Sequence, residues 1–275
     1  MRPEALDAFV AAAPAALVRV ETARGSTPRE AGAWMLVSRT GVLGTIGGGQ
    51  LEYMAIDAAR AMLVLGGERE TLDVPLGPEI GQCCGGRARI AVARMNISLA
   101  ASLRAEAGTV LGALPTVLVF GAGHVGRALA AALALLPLRP VLIDSRVQEL
   151  DLAPAGVETR ATPLPESEVR RARTGSAIVI LTHDHALDFL IAREALARGD
   201  AAYVGMIGSA TKRATFTRWC RQYGTPAPDV ARLVCPIGAA GRPDKRPAVI
   251  AAFTAAEILA ALNAFAVTQV AGASR

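Results

Sequence analysis

Three groupings of residues in this sequence have types and spacings that could do chemistry. The first is Gly121-Ala122-Gly123-His124-Val125-Gly126, preceded by the apolar run 117–120. A strand entering G-x-G-x-x-G and then a helix lets backbone N–H groups approach a phosphate, and the helix N-terminus favours the anion. Asp144 stands at the end of the next apolar run, at the spacing of an acid that binds a ribose hydroxyl. His124 places an imidazole inside the turn, either to donate to a ligand or to bond local backbone, and both readings stay open. The second grouping is Thr182-His183-Asp184-His185, with Asp188 close behind, at the end of the apolar run 177–182. Ligands of open parallel sheets sit beyond the carboxyl ends of the strands, so these side chains are delivered to that rim. All 3 histidines of the chain map to this one expected edge. Asp184 also reads as a helix cap and Asp188 as a favourable first-turn charge. A zinc site needs more ligands at suitable spacing than this.

The third grouping is Gln82-Cys83-Cys84 among glycines. Thiols at such a turn can ligate a soft metal or carry sulfur, or they are two small buried residues. Adjacent cysteines bridge only with strain. Cys220 and Cys235 read as packing residues. A second glycine turn, Gly47-Gly48-Gly49, leads into a helical pattern and is a further place for a phosphate. Ser209 fits as the N-cap of a helix holding Lys212 and Arg213, an anion-binding end. Lys212 and Lys245 are the only lysines among 29 basic residues. Compact point charges kept in so arginine-biased a chain hint at an anion.

The elements that must position these residues follow from periodicity. Residues 15–37 read as strand, turn, strand; 50–65 as a helix; 70–74 and 87–92 as short strands. From 116 onward, apolar runs at 116–120, 140–143, 177–182 and 201–207 alternate with helices at 128–136, 186–197 and 210–221, the signature of a parallel sheet. An apolar segment, 247–262, reads as a closing helix. The expected fold is α/β: an N-terminal mixed α/β domain over 1–95, a linker over 96–114, and a Rossmann-like doubly wound parallel-sheet domain over 115–275.

At 275 residues, with 52% hydrophobic and 19% charged residues, the chain is long enough for two folded domains and too apolar for general disorder. Mean hydropathy is +0.36, yet no run is read as long enough to span a bilayer, and no membrane association is expected. The start lacks a signal-peptide pattern. Four cysteines form no dense even framework, so a reducing cytoplasm is expected. The net charge is +5, but the basic residues are scattered, which favours a small anionic ligand over nucleic acid.

With these segments assembled, the sequence resembles the XdhC/CoxI family of xanthine dehydrogenase accessory proteins. The resemblance rests on Gly25-Ser-Thr-Pro-Arg29, Gly44-Thr-Ile-Gly-Gly-Gly-Gln-Leu-Glu52, Gly81-Gln-Cys-Cys-Gly-Gly86, Phe120-Gly-Ala-Gly-His-Val-Gly126, Asp144-Ser-Arg146, Thr182-His-Asp-His185, Val204-Gly-Met-Ile-Gly-Ser209 and Cys235-Pro-Ile-Gly238, in family order. It implies a chaperone that binds molybdenum cofactor (molybdopterin), shields it, keeps it available for sulfuration and delivers it to apo xanthine dehydrogenase or a related molybdenum hydroxylase, with no turnover chemistry of its own. It further implies self-association, a homodimer being expected, and a cysteine desulfurase as second partner. Gln50 stands where CoxI-type members tend to have cysteine, which leaves Cys83 and Cys84 as the thiols near molybdenum. The glycine-rich lead to Lys245 is altered to Arg242-Pro-Asp-Lys245. On this reading the Gly121–Gly126 or Gly47–Gly49 turn holds phosphate, and His183, Asp184 and His185 contact the pterin or oxo groups. Two domains supply these groups, so the ligand is expected between them or across a subunit interface. The competing readings are an NAD-dependent oxidoreductase using Gly121, Gly123, Gly126 and Asp144, and a sulfur carrier using Cys83 or Cys84.

Overall fold

Alternation along the first strands decides how the N-terminal region is layered. In the computed structural model, which describes residues 3–77, 85–239 and 244–273, the chain divides into two units, Met1–Ala113 and Leu114–Arg275. The first unit runs α1 (Pro3–Ala12), β1 (Ala15–Arg24), β2 (Trp34–Ser38), β3 (Val42–Gly44), α2 (Gly49–Leu65), β4 (Arg69–Leu76), β5 (Gly86–Arg94) and α3 (Ile97–Ala113). Its strands form one antiparallel sheet in the order β3-β2-β1-β5-β4. Ala16, Val18 and Val20 of β1 and Met35 and Val37 of β2 face one side, where Leu51, Ala55, Ala59 and Met62 of α2 close the core at helical spacing. Leu17 and Leu36 face the other side and meet Leu6 of α1 and Leu103 of α3.

Of the stretch 96–114, expected as a linker, residues 97–113 form helix α3 and fall in the first unit. Leu103 and Ala107, four residues apart, are buried, and ion pairs Arg19–Glu106 and Arg104–Asp7 hold the helix at 2.7 and 2.8 Å. Its sequence hides this because few large apolar residues mark the inward face.

The second unit runs β6 (Thr116–Phe120), α4 (His124–Ala134), β7 (Arg139–Asp144), α5 (Val147–Leu150), β8 (Glu158–Ala161), α6 (Pro165–Arg171), β9 (Ala177–Ile180), α7 (His185–Arg198), β10 (Tyr203–Met206), α8 (Ala210–Gln222), α9 (Ala227–Ala231) and α10 (Pro247–Ala273). All five strands are parallel, in the order β10-β9-β6-β7-β8. The chain winds outward from β6 through β7 to β8, then returns to β9 beside β6 and winds the other way. This is the doubly wound arrangement expected, with its switch point between β6 and β9. Leu118, Phe120, Ile178 and Ile180 turn to a core shared with α7 and α8. Val117, Val119, Ala177 and Val179 turn to a core shared with α4 and α10.

α10 is longer than the 247–262 expected. Its segment Pro247–Gln269, 23 residues, is long and apolar enough to cross a membrane by length and composition, which corrects the expectation that no segment of that length exists. Ala251, Ala255, Ile258 and Leu262 are nevertheless buried in the sheet core at alternating four- and three-residue steps, the pattern of a helix lying on a sheet.

Candidate functional site

At the switch point the glycine turn and the β9 tip are in close apposition. Gly121 has φ +115°, and a Cβ there would stand 2.3 Å from the Leu181 carbonyl oxygen. At Gly126 a Cβ would stand 1.8 Å from the Gly121 carbonyl oxygen. Both positions therefore require glycine for close approach of backbone to backbone. Gly123 differs, since a Cβ there would meet nothing within 4 Å. It caps α4 with no side-chain hydrogen bond, so the first-turn N–H groups have no side-chain acceptor among the described residues, the arrangement that suits an anion.

Asp144 is 7% exposed and is committed inside the protein. Its Oδ2 accepts from the Ala122 N–H at 2.8 Å and from Arg146 Nη2 at 2.8 Å. Its Oδ1 accepts from the Arg146 N–H and Nε, both at 3.0 Å. Burial by itself would raise its pKa; the Arg146 guanidinium and the Ala122 and Arg146 amides outweigh it and bring the carboxyl down to about 2. Asp144 thus clamps the glycine turn with both oxygens in use, rather than presenting them to a ribose. Arg127 secures the same turn, donating to the Ala122 carbonyl at 2.6 Å and to Glu149 at 2.7 Å.

Asp188 is fully buried. Its Oδ1 accepts from the Thr182 N–H at 3.0 Å and the Thr182 hydroxyl at 2.7 Å, and its Oδ2 from Lys212 Nζ at 2.5 Å. Lys212 Nζ also donates to the Ile207 carbonyl at 3.0 Å. The pair ties the tips of β9 and β10 together. Lys212 is therefore an internal counter-ion and not the free anion ligand expected of it, a role set by a partner 24 residues away. Ser209 caps α8 as expected, accepting from the Lys212 N–H at 3.3 Å. Arg213 is exposed and donates to the Cys235 carbonyl at 3.3 Å. Cys235 is buried, and burial pushes its thiol pKa up, as a packing residue.

Gly121, Asp144 and His183, with Ser145 and Thr182, border one small cleft of about 50 Å³ at this rim. His124, Asp184 and His185 are exposed around it. Asp184 caps α7, accepting from the Ala186 N–H at 2.8 Å and the Leu187 N–H at 3.4 Å. No group of three or more His, Cys, Asp or Glu side chains that could hold a metal occurs among the described residues. Gln82, Cys83 and Cys84 lie outside the described residues.

The Gly47–Gly49 turn belongs to the first unit, and its anion is built in. Glu52 Oε2 accepts from the Ile46 and Gly48 N–H groups, both at 3.0 Å, and from the Thr45 hydroxyl at 2.5 Å. Burial acts to raise the Glu52 pKa, but these donors hold it below the usual value. A phosphate at this turn would have to displace the carboxylate, so the expectation placed on Gly47, Gly48 and Gly49 is not carried forward. Glu52 and Arg146 were the residues overlooked. An acid four residues beyond Gly48, and an arginine two beyond Asp144, were the available signals.

A Rossmann-type unit preceded by an antiparallel α/β unit, with an anion-ready turn and an imidazole rim, defines the class of protein. The family model of the XdhC Rossmann domain matches residues 117–258, and that of the XdhC and CoxI family matches residues 10–74. The chain belongs to the XdhC and CoxI family. It is 28% identical over 239 residues to the uncharacterized protein YqeB of Escherichia coli strain K12, covering 82% of this chain and 39% of that relative's length. A crystal structure described as a xanthine dehydrogenase from Bacillus halodurans superposes with a TM-score of 0.72 over 96% of both chains at 16% identity, a likeness of fold.

Proposed function

We propose that the protein binds molybdenum cofactor as cargo and delivers it to an apo-enzyme of the xanthine dehydrogenase type. Family membership over both units is the observation that carries this reading. The rim supports it chemically. Phosphate and oxo groups need donors, and the first-turn amides beyond Gly123 together with the exposed His124, His183 and His185 supply them. The two buried acids of the rim, Asp144 and Asp188, are engaged in internal pairs, so neither carboxylate is free to act as a base toward a bound ligand. Cys83 and Cys84 are the proposed soft contacts near molybdenum.

The test is transfer of cofactor to purified apo xanthine dehydrogenase, with metal and pterin analysis of protein isolated from cells that make the cofactor. Wild type is expected to co-purify with pterin and restore activity. The His183→Ala/His185→Ala double variant is expected to retain its fold and lose at least tenfold in delivery. Cys83→Ala and Cys84→Ala are expected to lower cofactor retention. Tight NADH binding with no pterin response would overturn the proposal in favour of an oxidoreductase.

A further inference from the structure

We propose that the first unit carries a separate small-molecule site, a cavity of about 430 Å³ that takes a planar heteroaromatic ligand bearing an anionic group. It lies between α3 and the ends of β2 and β3. Its walls include Trp34, Thr45, Ala107, Val110 and the Glu106 carboxylate, and Arg29 stands at its edge. This volume is within the range of cofactor and ligand sites, roughly 300–1,000 Å³.

Each wall has a definite chemical part. Arg29 is exposed and makes no ion pair or hydrogen bond among the described residues. Its stem is nonetheless seated. A Cβ on Gly47 would stand 3.1 Å from Arg29 Cγ and 2.5 Å from Pro28 Cβ, so glycine at 47, with φ +127°, is what lets the Pro28–Arg29 turn lie there. A planar guanidinium fork without an acid partner, at the mouth of a cavity, matches a carboxylate or phosphate in bidentate fashion. Trp34 is half-buried and offers a flat apolar surface, and Val110 and Ala107 supply aliphatic contacts on the helix side. Glu106 does not compete for Arg29, because Arg19 holds it at 2.7 and 3.4 Å. The Glu106 carboxylate instead gives the wall an acceptor for ring substituents. The motif Gly25-Ser-Thr-Pro-Arg29 thereby gains a physical role that the rim of the second unit does not use.

The site is argued from its lining and does not rest on the cofactor reading, although a pterin satisfies both. Calorimetry on the full chain, with pterin-6-carboxylate, 6-methylpterin, guanosine monophosphate and inorganic phosphate as probes, tests it. At least one planar anion is expected to bind about tenfold or more tighter than neutral 6-methylpterin and than phosphate. Arg29→Gln should remove that advantage and Arg29→Lys should restore part of it. Quenching of Trp34 fluorescence in a Trp219→Phe background places the ligand, since the chain has 2 tryptophans. Equal binding by Arg29→Gln and wild type, no planar anion binding at millimolar concentration, or phosphate binding as tightly as the planar anions would each overturn the proposal. Preference for the nucleotide over the pterin supports the site and counts against the cofactor reading. Failure of delivery to apo-enzyme with this binding intact refutes only that reading.

Discussion

Breaking the Asp188–Lys212 pair distinguishes a structural from a ligand-binding lysine. The Asp188 side chain is 0% exposed and the Lys212 side chain 10%. Asp188→Asn keeps an oxygen for the Thr182 N–H and hydroxyl, which lie 3.0 and 2.7 Å from Oδ1. What it removes is the countercharge of a buried ammonium, left with the Ile207 carbonyl. Loss of one partner of a buried pair costs about 3–5 kcal/mol, and with the Thr182 bonds retained the lower end, about 3 kcal/mol, is expected. Lys212→Met should cost a similar amount by stranding the carboxylate. The double variant removes both charges and should be more stable than the sum of the singles by about 2 kcal/mol. Trp219 packs beside Phe189 and Phe216 in the second unit, with ring centroids 5.7 and 6.2 Å away. Its fluorescence in a Trp34→Phe background therefore reports unfolding of that unit in urea or on heating. A drop of about 6–12 °C is expected for each single variant. Single variants within about 1 kcal/mol of wild type, or strict additivity in the double, would refute the assignment. So would a Lys212→Met protein of normal stability that had lost anion binding, since the lysine would then serve a ligand.

Three other outcomes follow from the same geometry. The Asp144 carboxyl sits at about 2 when folded against a usual 3.8, so its contribution is complete above about pH 5 and is lost as pH falls through 4 toward 2, about 2 kcal/mol in all. Asp144→Asn should flatten that part of the acid limb in urea titrations at pH 2–6. Gly126→Ala and Gly121→Ala force a methyl against backbone oxygens at 1.8 and 2.3 Å; each should destabilise by about 3 kcal/mol or more, whereas Gly123→Ala should be nearly neutral in thermal melts. Glu52→Ala removes the acceptor of the Ile46 and Gly48 N–H groups, and amide exchange at those two positions should accelerate with a stability loss of about 1–2 kcal/mol.

The second unit was legible in sequence because its signals are local. Four buried strands are nearly continuous apolar runs, and the glycine spacing fixes the β6–α4 turn without knowledge of any distant residue. β8 and α6 were not read, since Glu158-Thr-Arg-Ala161 is half-exposed and carries no strand pattern. The helix-forming residues of 96–114 were legible, but only Leu103 and Ala107 are buried on α3, a helix of 17 residues, too few to show that it packs on the first unit. The site residues divide along the same line. Asp184 and Ser209 cap helices by contacts two or three residues away, and both were foreseen. Lys212 pairs with an acid on another helix, and nothing in its own neighbourhood announces the partner.

A common device explains which expectations about anions hold. The N–H groups of the Gly47–Gly49 turn, of Ala122 in the Gly121–Gly126 turn and of Thr182 at the β9 tip are the donors a phosphate would seek. At each a carboxylate of the same unit takes a donor: Glu52 the Gly48 N–H, Asp144 the Ala122 N–H and Asp188 the Thr182 N–H. An internal acid costs no translational freedom to bind and is present at a high effective concentration, so an external anion of ordinary affinity does not displace it. Among the described residues, donors that no side-chain acceptor meets include the first-turn amides beyond Gly123 in the second unit and the Arg29 guanidinium in the first. Filling these loops with acids leaves the amides they meet closed to an external anion. On the reading proposed above, a phosphate-bearing cargo that is held and later released is served by separate, solvent-reachable contacts rather than by a continuous nest. Replacement of Glu52 by alanine therefore carries a second consequence: the vacated amides at 46 and 48 should begin to compete for inorganic phosphate, detectable by calorimetry as a weak site absent from wild type. If no such site opens, the carboxylate is not what keeps that turn closed to anions.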